Sequence, residues 1–404
     1  MMNKGEIMNF DEYFLMDEQA VSDYIKYKTT LFETDELFVT EIGDGNLNYV
    51  FRVSDGDRSV IVKHSGHTAR ISDEFVLSTD RTIREGHLIQ AHSHYVPDLV
   101  PQIILIDPIM KCVIMEDLKD YTILRTALQD GQTFPFLGQE LGRYLAETLI
   151  RTSDFVMPAK EKKALQKEMI NPELCEITED LVYTEPFYNN FNRNELSEDL
   201  ARVVDRIVYQ DPALKSAVAQ AKLKFLNKAE SLIHGDLHSG SIFINSSGLK
   251  VIDPEFGFFG PAGYDLGNII AHLFFAHTYA SSSGRVDQAL WIEQTLEEVL
   301  QTFRSQALTI LQQETIDVAL RDSSIFAGFI NEIEKDAYIV AGLEIIRRIV
   351  GIAKVTDITS LQDDRITAET QLLLFATFLI KHPEQVRAFS SLFTLFDSSK
   401  ESVA

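Results

Sequence analysis

The chain has 404 residues, 45% of them hydrophobic, and its 61 acidic side chains outnumber 37 basic ones to give a formal charge of −24. That balance argues against nucleic acid or an anionic membrane surface as partner, since both need a basic footprint, while the length suits two domains or one two-lobed enzyme. Cys112 and Cys175 lie far apart without metal-ligand spacing, the start MMNKGEIMNFDEYFLMDEQA has acids where a secretory segment would be apolar, and no stretch is long and uncharged enough to span a bilayer, so the expectation is a soluble cytoplasmic protein.

In chain order, Glu18 to Tyr27 alternates at helical spacing, and Leu37–Ile42 and Tyr49–Val53 read as strands around GDGNLN. A glycine-rich turn between strands is the lid that covers nucleotide phosphates in kinases, because glycine lets backbone N–H groups approach the anion; it is also a common plain hairpin. Asn46 at its tip has an amide to offer a phosphate oxygen. A third strand, SVIVKH, delivers Lys63 in the manner of the phosphate-pairing lysine of kinases, although a lysine at a strand end is commonly only solvated. Ser78 to His94 reads as a helix with Glu85 near its start, the natural counter-ion for Lys63. The intervening HSGHTARISDEFVLSTD has no strong period and reads as a loop long enough to be functional. Strands Gln102–Ile106 and Cys112–Met115 close a lobe of five strands and one helix, which ends at Glu116, Asp117 and Leu118. In a kinase this is the hinge, where the Glu116 carbonyl and Leu118 N–H read the adenine edge and Asp117 faces the ribose; by itself the tripeptide is a solvated turn.

Beyond residue 118 the pattern turns helical. Phe136–Arg151 puts Leu137, Leu141, Tyr144, Leu145 and Leu149 on one stripe, residues 157 to 212 look like short helices and loops, and Asp211–Glu230 begins with a good cap and first-turn proline. Ser231–Ile233, Ser241–Asn245 and Leu249–Ile252 read as strands of one small sheet with acids at one rim. Asp236 follows the first strand, and Asp253, Pro254 and Glu255 follow the last. The spacing H-x-D, apolar strand, D-x-E is the layout by which phosphotransferases of the protein-kinase architecture mount a base and a metal ligand. Asp236 then accepts the proton of the attacking hydroxyl, Asp253 holds Mg²⁺, and Glu255 adds an oxygen, offsetting Ser241 where kinases carry a ligating Asn. The plainer alternative is a hairpin with solvated acids. His234 and His238 are metal ligands or, with no Cys or further His near, a structural and a loop histidine. Asp265 opens an apolar helix, either bracing the Asp236 loop or capping the helix.

The last third reads as helices over Arg285–Thr309, Glu314–Asp322, Asn331–Val355 and Asp364–Ile380, with Trp291 as core packing. AYIVAGLEIIRRIVGIAKV, residues 337 to 355, is apolar on every face yet carries Arg347 and Arg348, and a buried guanidinium needs an anion. Glu344 suits Arg348 at i to i+4; Arg347 projects about 100° away and needs a different anion or a hydroxyl-rich substrate. Structural and functional roles for the pair are both open at this point.

HGDLHSGSIFIN with VIDPEFGFFGPAGYDLGN resembles the methylthioribose kinases, a family of protein-kinase-like fold related to choline kinases and aminoglycoside phosphotransferases. GDGNLNYVFRV, VIVK, DR-x₃-E, VIMEDL and RRIVGIAKV are similar to the family's other motifs in the same order, so the likeness covers most of the chain. The fold implied is α+β and two-lobed: a small antiparallel-sheet lobe over residues 1–118 that binds nucleotide, and a mainly helical catalytic lobe over 119–404. The activity implied is transfer of the ATP γ-phosphate to the 1-hydroxyl of 5-methylthioribose, in methionine salvage, by a homodimer. The resemblance assigns ATP to Asn46, Lys63, with Glu85 beside it, and Glu116 to Leu118. It assigns the metal to Asp253 through Glu255, the base to Asp236, and the sugar to Asp236, Arg347 and Arg348. The loop after Lys63 departs from the family's pattern in having no Trp; Phe258, Phe259 and Phe75 are the candidates for an apolar thiomethyl pocket. Rival readings are a phosphotransferase of the same fold acting on choline, an aminoglycoside or another sugar, against which the double arginine speaks, and a nucleotide-binding pseudokinase, which would have lost Asp236, Lys63 or Asp253.

Overall fold

A computed structural model describes residues 9–42, 48–66, 68–69, 72–76, 78–362 and 364–401. The chain divides into two compact units, Met1–Asp120 and Tyr121–Ala404.

The first unit opens with helix α1 (Glu18–Lys28), whose N-terminus is capped by Asp17 accepting from the Ala20 N–H at 2.9 Å. It continues through β1 (Phe38–Glu41), β2 (Asn48–Ser54), β3 (Ser59–Ser65), β4 (Thr68–Ala69), β5 (Ser72–Val76), α2 (Asp80–Ser93), β6 (Ile103–Asp107) and β7 (Cys112–Glu116). Five strands form one antiparallel sheet in the order β1-β2-β3-β7-β6. Alternation decides which residue goes where: Val60, Val62, Phe51, Val53 and Ile114 join Val21, Tyr24 and Ile25 of α1 in a core, so Lys63 emerges on the opposite face. That face receives α2, whose Gly86 comes so close that an added Cβ would sit 2.8 Å from Val113 Cγ2. The stretch expected as a loop after Lys63 contains the β4–β5 hairpin, pairing Thr68 with Val76 and Ala69 with Ser72 across an irregularity. Its backbone pairing over two residues leaves no side-chain period to read.

The second unit runs β8 (Thr122–Ile123), α3 (Leu124–Gln129), α4 (Leu137–Arg151), α5 (Ala159–Glu168), α6 (Pro172–Leu181), α7 (Glu185–Tyr188), α8 (Glu198–Val204) and α9 (Pro212–Asn227). Short strands β9 (Ser231–Ile233), β10 (Ile242–Ile244), β11 (Leu249–Val251) and β12 (Phe258–Gly260) follow. Helices α10 (Gly263–Ser282), α11 (Val286–Glu314), α12 (Ser323–Val350), α13 (Thr356–Thr359), α14 (Arg365–Lys381) and α15 (Ser391–Glu401) complete it. The expected single sheet is two: β10 pairs with β11 and β8, whereas β9 pairs with β12, Ile233 opposite Phe258. Strands of two or three residues are too short for periodicity to reveal partners.

Three expectations in the helical region also change. Glu314–Asp322 is not a helix, because α11 runs on to Glu314 and only a 3₁₀ turn at Val318–Leu320 follows. Helix α12 begins at Ser323, earlier than expected, because Asp322 caps it by accepting from the Ser324 N–H at 2.8 Å. Trp291 is only partly buried, on the flank of α11 beside Arg285 and Thr133, so it is not a core anchor. The core of this unit comes instead from α10, α12 and α14, where Phe274, Phe375 and Ile345 are fully buried.

Candidate active site

In the first unit the strand alternation turns Lys63 toward α2, and its Nζ lies 2.7 Å from Glu85 Oε2 with the carboxylate 2% exposed. A buried ion pair of this geometry fixes the ammonium in place. Glu116 ends β7 with its carboxylate accepting from the Gln102 N–H at 3.0 Å, and Leu118 is half-buried. The Asp117 carboxylate takes Arg52 Nε at 2.7 Å and Nη2 at 3.0 Å, and its side chain is nearly inaccessible. Asn46 lies outside the described residues. The side chain of Phe75 does too.

In the second unit the chain leaves β9 through Gly235, whose φ of +84° and approach to the Phe256 carbonyl, 2.3 Å from an added Cβ, exclude any side chain. Asp265, at the start of α10, accepts from both His234 N–H (2.7 Å) and Gly235 N–H (3.0 Å). It braces the Asp236 loop. His234 is fully buried, accepting the Asp236 N–H on Nδ1 at 3.3 Å with Nε2 2.9 Å from the Ile252 carbonyl, which makes Nε2 the protonated nitrogen. Both ring nitrogens are used, so it is structural. His238 likewise accepts the Gly240 N–H on Nδ1 at 2.9 Å and turns Nε2 to Asp236 Oδ2 at 3.4 Å. Ser241 closes the loop rather than pointing outward: its Oγ accepts from His238 N–H at 2.9 Å and lies 2.8 Å from His238 O and 3.1 Å from Asp236 O.

Asp236 meets the double arginine. Its Oδ1 is 3.5 Å from Arg347 Nη1 and 3.6 Å from Arg348 Nη2. These contacts are long, so the carboxylate feels positive charge without being tied by short bonds. Burial pushes its pKa up, but His238, Arg347 and Arg348 outweigh that and hold it well below the usual carboxylate range. The charged base form therefore persists across neutral pH. Arg347 meets the separate anion expected for it in Asp236, and it also shares Glu344 with Arg348: Glu344, 1% exposed, serves both guanidiniums, Oε1 taking Arg348 Nε at 2.5 Å and Oε2 taking Arg347 Nη1 at 3.0 Å. A carboxylate has two oxygens, and the i+3 and i+4 positions reach one each.

Asp253 sits in the left-handed region with φ of 65°, an uncommon conformation for a residue with a side chain and one that collects at functional sites. Pro254 is buried, and the Gly257 N–H donates to its carbonyl at 3.0 Å, closing a tight turn. The turn is held from outside by Asn171, which donates to the carbonyls of Glu255 (2.8 Å) and Gly257 (3.1 Å). An oxygen of Asp253 and one of Glu255 lie within 4.8 Å of each other, two hard donors of the kind Mg²⁺ takes. The residues present thus fit that ion. Phe259 is buried beneath the Lys162 ammonium, 5.5 Å from its centroid, and Phe258 packs edge-on against Phe225 at 5.1 Å. The brace from Asn171 had no signal in the sequence, since it comes from 84 residues upstream.

The phosphotransferase enzyme family model matches residues 39–299. A methylthioribose kinase of Bacillus cereus (strain B4264) is 38% identical over 390 residues, covering 96% of this chain and 98% of its own. One of Bacillus mycoides (strain KBAB4) is 37% identical over the same span and coverage. Among solved structures, the choline kinase from Cryptosporidium parvum Iowa II aligns over 96% of each chain with 13% identity and a TM-score of 0.48.

Proposed function

We propose, from the premise that the chain belongs to the methylthioribose kinases within the phosphotransferase enzyme family, that it transfers the γ-phosphate of ATP to the 1-hydroxyl of 5-methylthioribose. The fold is the protein-kinase-like one, with a small antiparallel-sheet lobe and a large helical lobe. The observation that carries the reading is the Asp236 carboxylate, charged and loosely held beside Arg347, Arg348 and His238.

In this reading Asp236 aligns the sugar hydroxyl and takes its proton, a contribution of roughly 10²–10⁴-fold for a general base. The guanidiniums of Arg347 and Arg348 bind sugar hydroxyls and offset charge that builds up as the phosphoryl group arrives. Lys63, steadied by Glu85, pairs with nucleotide phosphate, and the backbone at Glu116 to Leu118 takes the adenine edge. Asp253 and Glu255 would hold Mg²⁺, which supplies charge neutralisation of the phosphates when bound. Asn46 would add a phosphate contact. A cytoplasmic location, action as a homodimer, and independence of nucleic acid and membrane belong to the same proposal. No helix among the described residues is long and apolar enough to cross a membrane.

The test is ADP release with Mg²⁺-ATP against a panel of 5-methylthioribose, other pentoses, choline and an aminoglycoside, with Asp236→Asn alongside. Turnover is expected with the thiosugar, falling at least about 10²-fold in the variant while ATP affinity stays within about twofold. Turnover confined to choline or the aminoglycoside would overturn the substrate, and a variant as fast as wild type would remove Asp236 as base.

A further inference from the structure

Behind the double arginine lies a set of polar side chains that the reaction does not touch. Glu344 and His272 are 1% and 2% exposed, and His272 Nε2 lies 3.3 Å from Glu344 Oε1. The other ring nitrogen, Nδ1, is 3.2 Å from Ser239 Oγ, and that hydroxyl is 3.2 Å from Arg125 Nε. Ser239 is three residues past Asp236, and its carbonyl also accepts the Arg125 backbone N–H at 3.0 Å.

The proton positions follow from the partners. An ionised carboxylate only accepts, so His272 must donate from Nε2 to Glu344, and its Nδ1 must accept from the Ser239 hydroxyl. Arg125 can only donate, so Ser239 Oγ accepts there. The bonds then run in one consistent sense: Arg125 to Ser239, Ser239 to His272, His272 to Glu344, and Arg347 and Arg348 to Glu344 from the other side. The neutral imidazole this requires agrees with burial, which holds the His272 pKa well below its usual value against the pull of Glu344. Glu344 itself is pushed up by burial, but the two arginines dominate and keep it strongly acidic.

We infer that Glu344 and His272 are positioning residues for sugar recognition: through Ser239 they tie the Asp236 loop to the Arg347–Arg348 pair, so that base and sugar-binding guanidiniums are held in register. The set closes on itself, since Asp236 and Ser239 share one loop and the arginines lie against Asp236. Arg347 Nε and Arg348 Nη2 are buried and make no hydrogen bond, so Glu344 engages one edge of each guanidinium and leaves further N–H groups unsatisfied. A buried donor left unmade is costly, and a hydroxylated ligand that satisfies it gains accordingly. Without Glu344 the guanidiniums would turn to whatever acceptor is near, and the sugar would have to reorder them.

This inference rests on the reading that Arg347 and Arg348 bind the sugar. Steady-state kinetics in both substrates, with melting temperatures, should therefore cover Glu344→Gln, His272→Leu, His272→Gln and Arg347→Ala. Glu344→Gln is expected to raise KM for 5-methylthioribose about tenfold or more while KM for ATP stays within about twofold, because one charged hydrogen-bond partner is lost at the sugar end alone. His272→Leu should do the same to a smaller extent, about threefold, and His272→Gln, whose amide N–H can still reach Glu344, should restore most of it. Should Glu344→Gln fail to fold, the His272 pair decides, since it leaves the charges in place. If Arg347→Ala raises the sugar KM but the Glu344 and His272 variants do not, the positioning role is overturned and sugar binding by the arginines stands. If sugar and ATP KM rise together with a lowered melting temperature, the set is merely structural. If Arg347→Ala leaves the sugar KM unchanged, the reading of the arginines fails, and this inference with it.

Discussion

Asp236, partly buried on the loop after β9, and Asp265, buried at the start of α10, are neighbouring carboxyls whose surroundings drive their titration apart. Asp236 has His238 and two arginines beside it and stays charged. Asp265 has only two backbone N–H groups to offset burial, with Asp236 as a negative neighbour, and is pushed up to about 7. A folded pKa above the free value means that the group contributes stability below about pH 4, which is lost as pH rises through about 7. Wild type should therefore lose more thermal stability than Asp265→Asn between pH 5 and pH 8, read as melting temperature against pH for each. Parallel curves would mean that Asp265 titrates normally. At this scale the sequence marked Asp236, Asp253, Arg347 and Arg348 by type and spacing, and left Asp265 open between brace and cap. What it did not contain was the sharing of Glu344, because the reach of two side chains to one carboxylate depends on rotamers fixed by packing.

Helices α10 and α12 carry Asp265 and His272 on one side and Glu344, Arg347 and Arg348 on the other, so their separation sets the geometry around Asp236. Gly267 lets them meet: a Cβ there would lie 2.6 Å from the Ala337 carbonyl and 2.6 Å from Val340 Cβ. Neither is a flexible tip that can swing away. Gly267→Ala should therefore cost about 1–3 kcal/mol as overpacking and lower turnover by shifting the arginines from Asp236. Denaturant unfolding and ADP release check this, and a variant with unchanged midpoint and turnover would show that the contact is relieved elsewhere. Element type was largely legible here, because long apolar runs with i, i+3, i+4 spacing declare helices and β-branched runs declare strands. Strand partners were not. Ser231–Ile233 pairs with Phe258–Gly260 rather than Leu249–Val251, a choice made by the turn at Gly235 and by which apolar faces the helices leave to cover.

Over the whole molecule a net charge of −24 must coexist with binding of an anionic nucleotide, which is possible because charge acts locally. The guanidiniums near Asp236 and the ammonium of Lys63 are each held in ion pairs with Asp236, Glu344 or Glu85. Since Asp253 and Glu255 are held by their own turn and by Asn171, the fold does not lean on an ion. Chelation with EDTA is therefore expected to abolish ADP release while moving the melting temperature of the nucleotide-free protein by less than about 2 °C, because an ion bound weakly without nucleotide adds little by mass action. A large drop in melting temperature would make the ion structural. The linear sequence by itself determined the two kinds of lobe, the order of the motifs and the identity of the acids and arginines, since each of these follows from local spacing and side-chain chemistry. Only the tertiary structure decided that Asp117 is spent on Arg52, that Asp265 braces the loop, and that one carboxylate serves two arginines. The first two depend on residues 65 and 31 positions apart being brought within hydrogen-bonding distance by burial of the apolar faces between them, and the third on the rotamers that packing fixes around Glu344.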